Sequence, residues 1–513
     1  MDGFNRTKNA KRNIVWGFVA KIIALLGPFL TRTLMLYYLG AAYPGVNSLY
    51  ISVLQVLSLA ELGFGSAVTY SMYKPVAEGS TQEVAAYLNY FRRVYRVVGL
   101  VILVLGLAML PVLHFFVKAE WPPDVDLQLC FLIYLGNATV SYFLFAYKQS
   151  LLHAHQRSDV VNKANIIVMV AQFTFQSIML VTAPNFYTFA IALPVATITS
   201  NLLIAWFTGR LFPEYSEASL RACRLSDDAR REVRKRVAGL VFQQVCGTTR
   251  NSFDTLVISA FIGVTAVTCY GNYYLIMSGV TGIMIVVISA ITPSAGNSVA
   301  VESKAKNFAD CRLFMFLYAM IAVVCTACLV CLYQPFMRIW VGEELMLPFI
   351  VPVLMAAYFY VLTMGDIRYM YATASGIWWE LRWLALVESV MNLVLNLVFV
   401  QWLGLPGVVL ATLLNLFFIN FVYGSRLTFR HYFGMEYMKP FYLDHAVYLG
   451  VCAGVCAVTY LVCGLLPDGG IVLWLAKAAV CIVCAAGLLV VCFGWTKRFR
   501  EALEFAKRVL RRG

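Results

Sequence analysis

Charge is scarce in this chain. Asp, Glu, Lys and Arg make up only 13% of its 513 residues, against about 25% in ordinary soluble domains. Acidic residues are the rarer kind, 26 against 40 basic ones, and there are five histidines. Long polar connections are lacking too. The longest stretch between apolar runs, 209–236, holds fewer than thirty residues. No soluble catalytic domain fits in such a gap, which argues against an enzyme. No G-x-x-x-x-G-K-[ST] phosphate loop occurs, so the chain carries no ATPase site of that kind.

What fills the chain is apolar. It is 61% hydrophobic with a mean hydropathy of +0.76. Apolar runs long enough to span a bilayer recur along it, at 14–38, 46–71, 94–117, 127–147, 164–183, 186–208, 237–262, 269–293, 313–333, 347–371, 383–403, 405–425, 443–465 and 471–495. A spanning helix needs about 20 such residues. The expected fold is therefore an all-α polytopic membrane protein with about fourteen transmembrane helices. The first run follows a basic start, as a secretory signal would. It continues to Tyr38 without a small-residue cleavage site, and reads as a retained span.

The basic residues orient the spans. With the N-terminus in the cytoplasm, cytoplasmic segments hold 33 of them and external segments only Lys118 and Arg338. That is a strong positive-inside bias. It places both termini in the cytoplasm and accounts for the net charge of +14. The loop at 209–236 and the tail at 496–513 face the anionic inner-leaflet lipids, the tail as an amphipathic surface helix. Nucleic-acid binding is not expected, because no soluble module accompanies the charge.

The fourteen cysteines lie mostly inside apolar runs, several at C-x-x-C spacing. They read as small core residues, with no metal site and no cofactor. His153 and His155 are two apart and would face away from each other on a helix.

The loop at 209–236 divides the first twelve spans into two sets of six: an N-lobe at 1–208 and a C-lobe at 237–428. Helices 13 and 14 follow at 429–495, then the tail. Two even sets enter from the same side, as in a parallel pseudo-repeat. Weak echoes agree: Thr31-Arg32 before LGAAYPGVNSLYI, and Thr249-Arg250 before IGVTAVTCYGNYYLI.

Five basic residues, Lys21, Arg32, Arg250, Arg368 and Lys477, fall inside spans. A central Arg or Lys costs about 2.5–3.5 kcal/mol on insertion scales. Lys21, Leu25, Pro28 and Arg32 share one helix face, and Gln243, Gly247, Arg250 and Asp254 repeat the same spacing. Lys21 and Arg32 read either as side chains snorkelling from helix ends or as one wall of a water-filled vestibule. Arg250 is the best centred, and Asp254, four residues on, is placed to pair with it. Glu61, Asp254 and Glu388 are candidates for binding a coupling proton or sodium ion. Glu61 and Glu388 read equally as helix-packing groups. Arg368 and Asp366, near an inner helix end, read as interfacial.

The stretch LYYLGAAYPGVNSLY followed by LSLAELGFGSAVTYSMYKPVAEGS resembles the bacterial polysaccharide-transporter branch of the multidrug/oligosaccharidyl-lipid/polysaccharide exporter superfamily. Leu39-Gly40 with Gly45, then Glu61-Leu62-Gly63-Phe64-Gly65, carries the resemblance most specifically. The resemblance implies twelve core helices in two lobes, with two further helices as in lipid II flippases. It implies export of undecaprenyl-pyrophosphate-linked oligosaccharide across a bacterial cell membrane by alternating access around a cationic cavity. Arg250, Arg32 and Lys21 are the expected contacts to pyrophosphate. A multidrug/cation antiporter of the same fold is the alternative, and a polytopic enzyme of glycan assembly a more distant one.

Overall fold

The computed structural model describes residues 6–58, 64–118 and 121–512. All regular structure among them is helical. Eleven described helices are long and apolar enough to cross a bilayer. The chain divides into two compact units, Met1–Thr268 and Cys269–Gly513.

The first unit holds α1 (Arg6–Tyr38), α2 (Ala42–Leu57), α3 (Phe64–Ala77), α4 (Thr81–Met109), α5 (Leu127–Phe143), α6 (Tyr147–Ala154), α7 (Ser158–Thr182), α8 (Phe186–Leu211), α9 (Glu217–Ala222) and α10 (Asp227–Phe261). It also holds the first turn of α11 (Val264–Val301). Helix α1 packs along α7, α7 and α5 pack on α8, and α2 packs on α10. α5 and α6 together make a twelfth crossing, bent by 52° at their junction. The run at 46–71 holds two described helices, with residues 59–63 outside the described residues. α2 ends at Leu57 and α3 begins at Phe64. Of the fourteen crossings expected from hydropathy, twelve are thus found among the described residues; the runs at 46–71 and 237–262 are not among them.

Two glycines of the sequence motif have distinct physical roles. Gly40 adopts φ +113° just after α1, and its N–H returns to the Met35 carbonyl at 3.1 Å. This is a helix stop that favours a residue without Cβ. Gly45 is needed for space, because a Cβ there would lie 1.9 Å from the Val264 carbonyl oxygen. The first turn of α11 thus sits directly on α2. Gly45→Ala is expected to destabilise the protein by about 1–3 kcal/mol, the usual cost of overpacking. An unchanged melting temperature in detergent would contradict that close approach.

The second unit holds the rest of α11, α12 (Lys304–Trp340), α13 (Ile350–Ala374), α14 (Trp378–Leu403) and α15 (Leu405–Asn415). After α15 the backbone runs as π-helix over Leu416–Tyr423, as α16 over Gly424–Thr428, and as π-helix again over Phe429–Phe433. α17 (Met438–Gly464), α18 (Ile471–Phe493) and α19 (Lys497–Arg512) complete it. α12 is the hub, packed against α13, α17 and α18. At 38 and 37 residues, α11 and α12 exceed the length of a bilayer crossing. The basic segment between their apolar parts is a continuation of both helices.

Asp444 on α17 ties this unit together. It accepts two hydrogen bonds from Arg312 of α12, at 2.6 and 2.9 Å, and one from Arg498 of α19 at 2.7 Å. The fork-to-carboxylate geometry with Arg312 is the strong form of such a pair. Phe505 of α19 packs edge-on against Phe314 of α12.

Candidate functional site

In the first unit one of the in-span charges, that of Arg32, meets α2. Arg32 on α1 is partly buried. It donates to the Thr268 carbonyl at 2.9 Å and to the Ser48 hydroxyl at 3.5 Å. The close approach at Gly45 positions both acceptors, since Ser48 lies three residues on and Thr268 one turn beyond Val264. Gln55, two turns further along the same face of α2, accepts from Ser252 of α10 at 2.9 Å. Because Ser252 faces α2, Arg250 and Asp254, two residues to either side, point elsewhere on α10. Asp254 is fully buried and Arg250 partly so. Lys21 is exposed on α1. Glu61 lies outside the described residues, as do the side chains of Gln243 and Gly247.

The two echoed segments end alike. The N–H of Gly263, at φ +136°, returns to the Ile258 carbonyl at 3.0 Å, as that of Gly40 does to Met35. Counted back from these matching stops, Arg32 is eight residues away and Arg250 thirteen. Five residues of helix are about 7.5 Å. The two arginines therefore stand at different depths relative to their helix ends, and the echo aligns the caps rather than the charges.

The second unit contains a polar network that the sequence did not reveal. Arg368 on α13, read as interfacial, is 1% exposed. Its guanidinium donates to Asn420 at 3.1 Å and to Thr428 at 3.4 Å. Asn420 in turn donates to the Glu388 carboxylate at 2.8 Å. Gly424 makes the space: a Cβ there would lie 2.8 Å from Arg368 Nη1. Asn392, one turn after Glu388 on α14, donates to Thr412 of α15 at 2.9 Å. Asn415 donates to the Glu388 backbone carbonyl at 3.0 Å. Glu388 thus sits in a nest of amides and hydroxyls on three consecutive elements. Asn420 belongs to the first π stretch, and π segments inside helices frequently mark functional sites. Asp366 accepts from Tyr318 at 2.6 Å.

Lys477, the fifth in-span cation, is almost buried and reaches Asp468 at 2.6 Å. Asp468 lies in the connection between α17 and α18, so this lysine spends its charge at a helix end. The thiols of Cys331, Cys463 and Cys481, from α12, α17 and α18, lie within 4.8 Å of one another. Among the described residues this is the one group of donors close enough to hold a soft metal ion. All three are buried, where thiols pack as small core groups. The two neighbouring histidines part as their spacing implied: His153 Nδ1 meets Ser158 Oγ, and His155 Nδ1 meets the Leu151 carbonyl.

No family model matches the sequence, and no curated protein does. Solved structures do match. An inward-facing multidrug resistance MATE family transporter of the MOP superfamily superposes with a TM-score of 0.64 at 14% identity, covering 79% of this chain and 94% of that one. The lipid II flippase MurJ, in an inward closed conformation, superposes with a TM-score of 0.64 at 14% identity, covering 94% and 98%. The fold is that of the MOP superfamily transporters. A further MOP superfamily transporter, from Pyrococcus furiosus, superposes at 0.58 with 14% identity, covering 82% and 96%.

Proposed function

We propose that this chain is a flippase for lipid-linked oligosaccharide. It moves an undecaprenyl-pyrophosphate-linked glycan from the inner to the outer leaflet of a bacterial cell membrane by alternating access of two six-helix lobes. The observation that carries the reading is a pair of partly buried arginines, Arg32 on α1 and Arg250 on α10. A guanidinium meets phosphate with a planar fork of donors, and two of them suit a diphosphate. Lys21, exposed on α1, would meet the anion near the inner face. Coverage points the same way: the lipid II flippase matches 94% of this chain, the multidrug transporter 79%.

The driving force comes from outside the chain. Moving one charge through 100 mV is worth about 2.3 kcal/mol, and an outward-moving anion gains from an inside-negative potential. Exchange of a proton or sodium ion adds to this. Asp254, Glu388 and Glu61 are its candidate carriers, and Glu388 has the best-defined surroundings. The second reading is a multidrug/cation antiporter, favoured by the equal TM-score of the MATE protein. A cationic path disfavours cationic cargo.

The test is reconstitution into vesicles carrying a fluorescent polyprenyl-pyrophosphate glycan. Accessibility of the sugar to an external lectin is expected to rise with time and with an inside-negative potential. Ethidium transport without any sugar translocation would replace this reading with the antiporter.

A further inference from the structure

A separate cavity of about 450 Å3 opens in the first unit, within the range of about 300–1,000 Å3 usual for small-molecule sites. Its walls include Thr69, Tyr70 and Tyr73 of α3, Tyr95 of α4, and Gln149 and His153 of α6. By the charge bias this end of the unit faces the cytoplasm. Among the described lining residues there is no carboxylate, lysine or arginine. His153 Nδ1 is already engaged with Ser158 Oγ at 2.8 Å. The cavity is therefore not built for an anion, which would call for basic side chains, nor for a metal ion.

Its chemistry is aromatic faces with amide and hydroxyl groups between them. Tyr70 and Tyr73 stand edge to face, ring centres 6.0 Å apart, and are 62% and 46% exposed. The Gln149 amide and the Tyr73 hydroxyl make no hydrogen bond to described residues. An amide offers two donors and an acceptor to a ligand. Flat apolar faces with interleaved donors and acceptors match a pyranose, which has C–H faces and a hydroxyl rim.

The backbone that builds this wall is unusual. Phe145, between α5 and α6, has φ +55°, a conformation few residues other than glycine adopt. It ends α5 and redirects the chain, so that Gln149 and His153 of α6 line the cavity. Strained residues of this kind cluster at functional sites.

We infer that this cavity is a subsite for a neutral sugar of the cargo, separate from the arginines that take the diphosphate. The inference rests on the flippase reading for its cargo class. It adds a place where glycan identity is read before the head group enters the membrane.

The test uses the full chain in nanodiscs and saturation-transfer NMR with methyl glycosides of N-acetylglucosamine, glucose, galactose and rhamnose. At least one is expected to saturate. Gln149→Ala is expected to weaken it about tenfold, the worth of roughly one hydrogen bond. Tyr70→Ala is expected to do the same, with Tyr70→Phe close to wild type because the ring face remains. Melting temperatures establish that each variant is folded, and Gln149→Ala carries the test if Tyr70→Ala is not. No binding of any glycoside, binding indifferent to Gln149→Ala, or displacement by tetraphenylphosphonium would overturn the inference. Because binding is read without transport, translocation without glycoside binding removes only this subsite. Glycoside binding without translocation removes only the flippase.

Discussion

Arg250→Ala is expected to lower the initial rate of glycan translocation by about 10- to 100-fold, with folded protein held equal. The magnitude follows from losing a charge-assisted hydrogen bond worth about 1.5–3 kcal/mol. Arg250 sits on α10, which grips α2 through Ser252 and Gln55. That leaves the stripe of Arg250 and Asp254 turned away from the α2 contact. Arg250→Lys keeps the charge and loses the fork, so an intermediate rate is expected. Wild-type translocation by the alanine variant would remove this arginine from the substrate path. Arg32 is expected to behave differently. Its bonds to Ser48 and the Thr268 carbonyl also join α1, α2 and the start of α11, so Arg32→Ala lowers stability along with rate.

Arg368→Ala should be the most destabilising single change in the second unit, by about 3–5 kcal/mol, the range for removing one partner from a buried charged network. The guanidinium holds Asn420 and Thr428, and Asn420 holds Glu388. Without it, Glu388 stays buried with its positive counterpart gone. Arg368→Met combined with Glu388→Gln removes both charges and should recover much of the loss. Melting temperatures of the two single variants and the double variant, in detergent, provide the measurement. Additive losses would show that the two residues are not coupled. If Glu388 also carries the coupling ion, the double variant should fold well and yet lose the dependence of translocation on the ion gradient.

Much of the architecture was legible because lipid is an undemanding reader. A span needs only length and apolarity, and α7, α8, α12, α13 and α18 appear where hydropathy put them. Gly40 and Gly45 were legible as a motif, though not as a helix stop and a close approach respectively. The end of α2 at Leu57 was hidden, since the sequence runs on past it without a proline. The network around Arg368 was hidden for another reason. Asn420 is 52 residues away in sequence, in a π stretch whose register a 3.6-residue pattern does not describe. Glu388 and Asn392 could be paired by their four-residue spacing, but Thr412 and Asn420 could not be assigned to them. The C-x-x-C spacings misdirect in a similar way: the three thiols that meet come from three different helices.

Asp444 sets an order on assembly. When α17 enters the membrane the carboxylate has Arg312 as a partner, because α12 precedes it. Arg498 arrives only after α18 has crossed and α19 has turned back to lie against α12. A nascent chain halted before α19 would hold its carboxylate with Arg312 alone and leave the Phe314 ring without its Phe505 contact. Completion of the second unit is thus registered chemically by the helix that follows its final crossing.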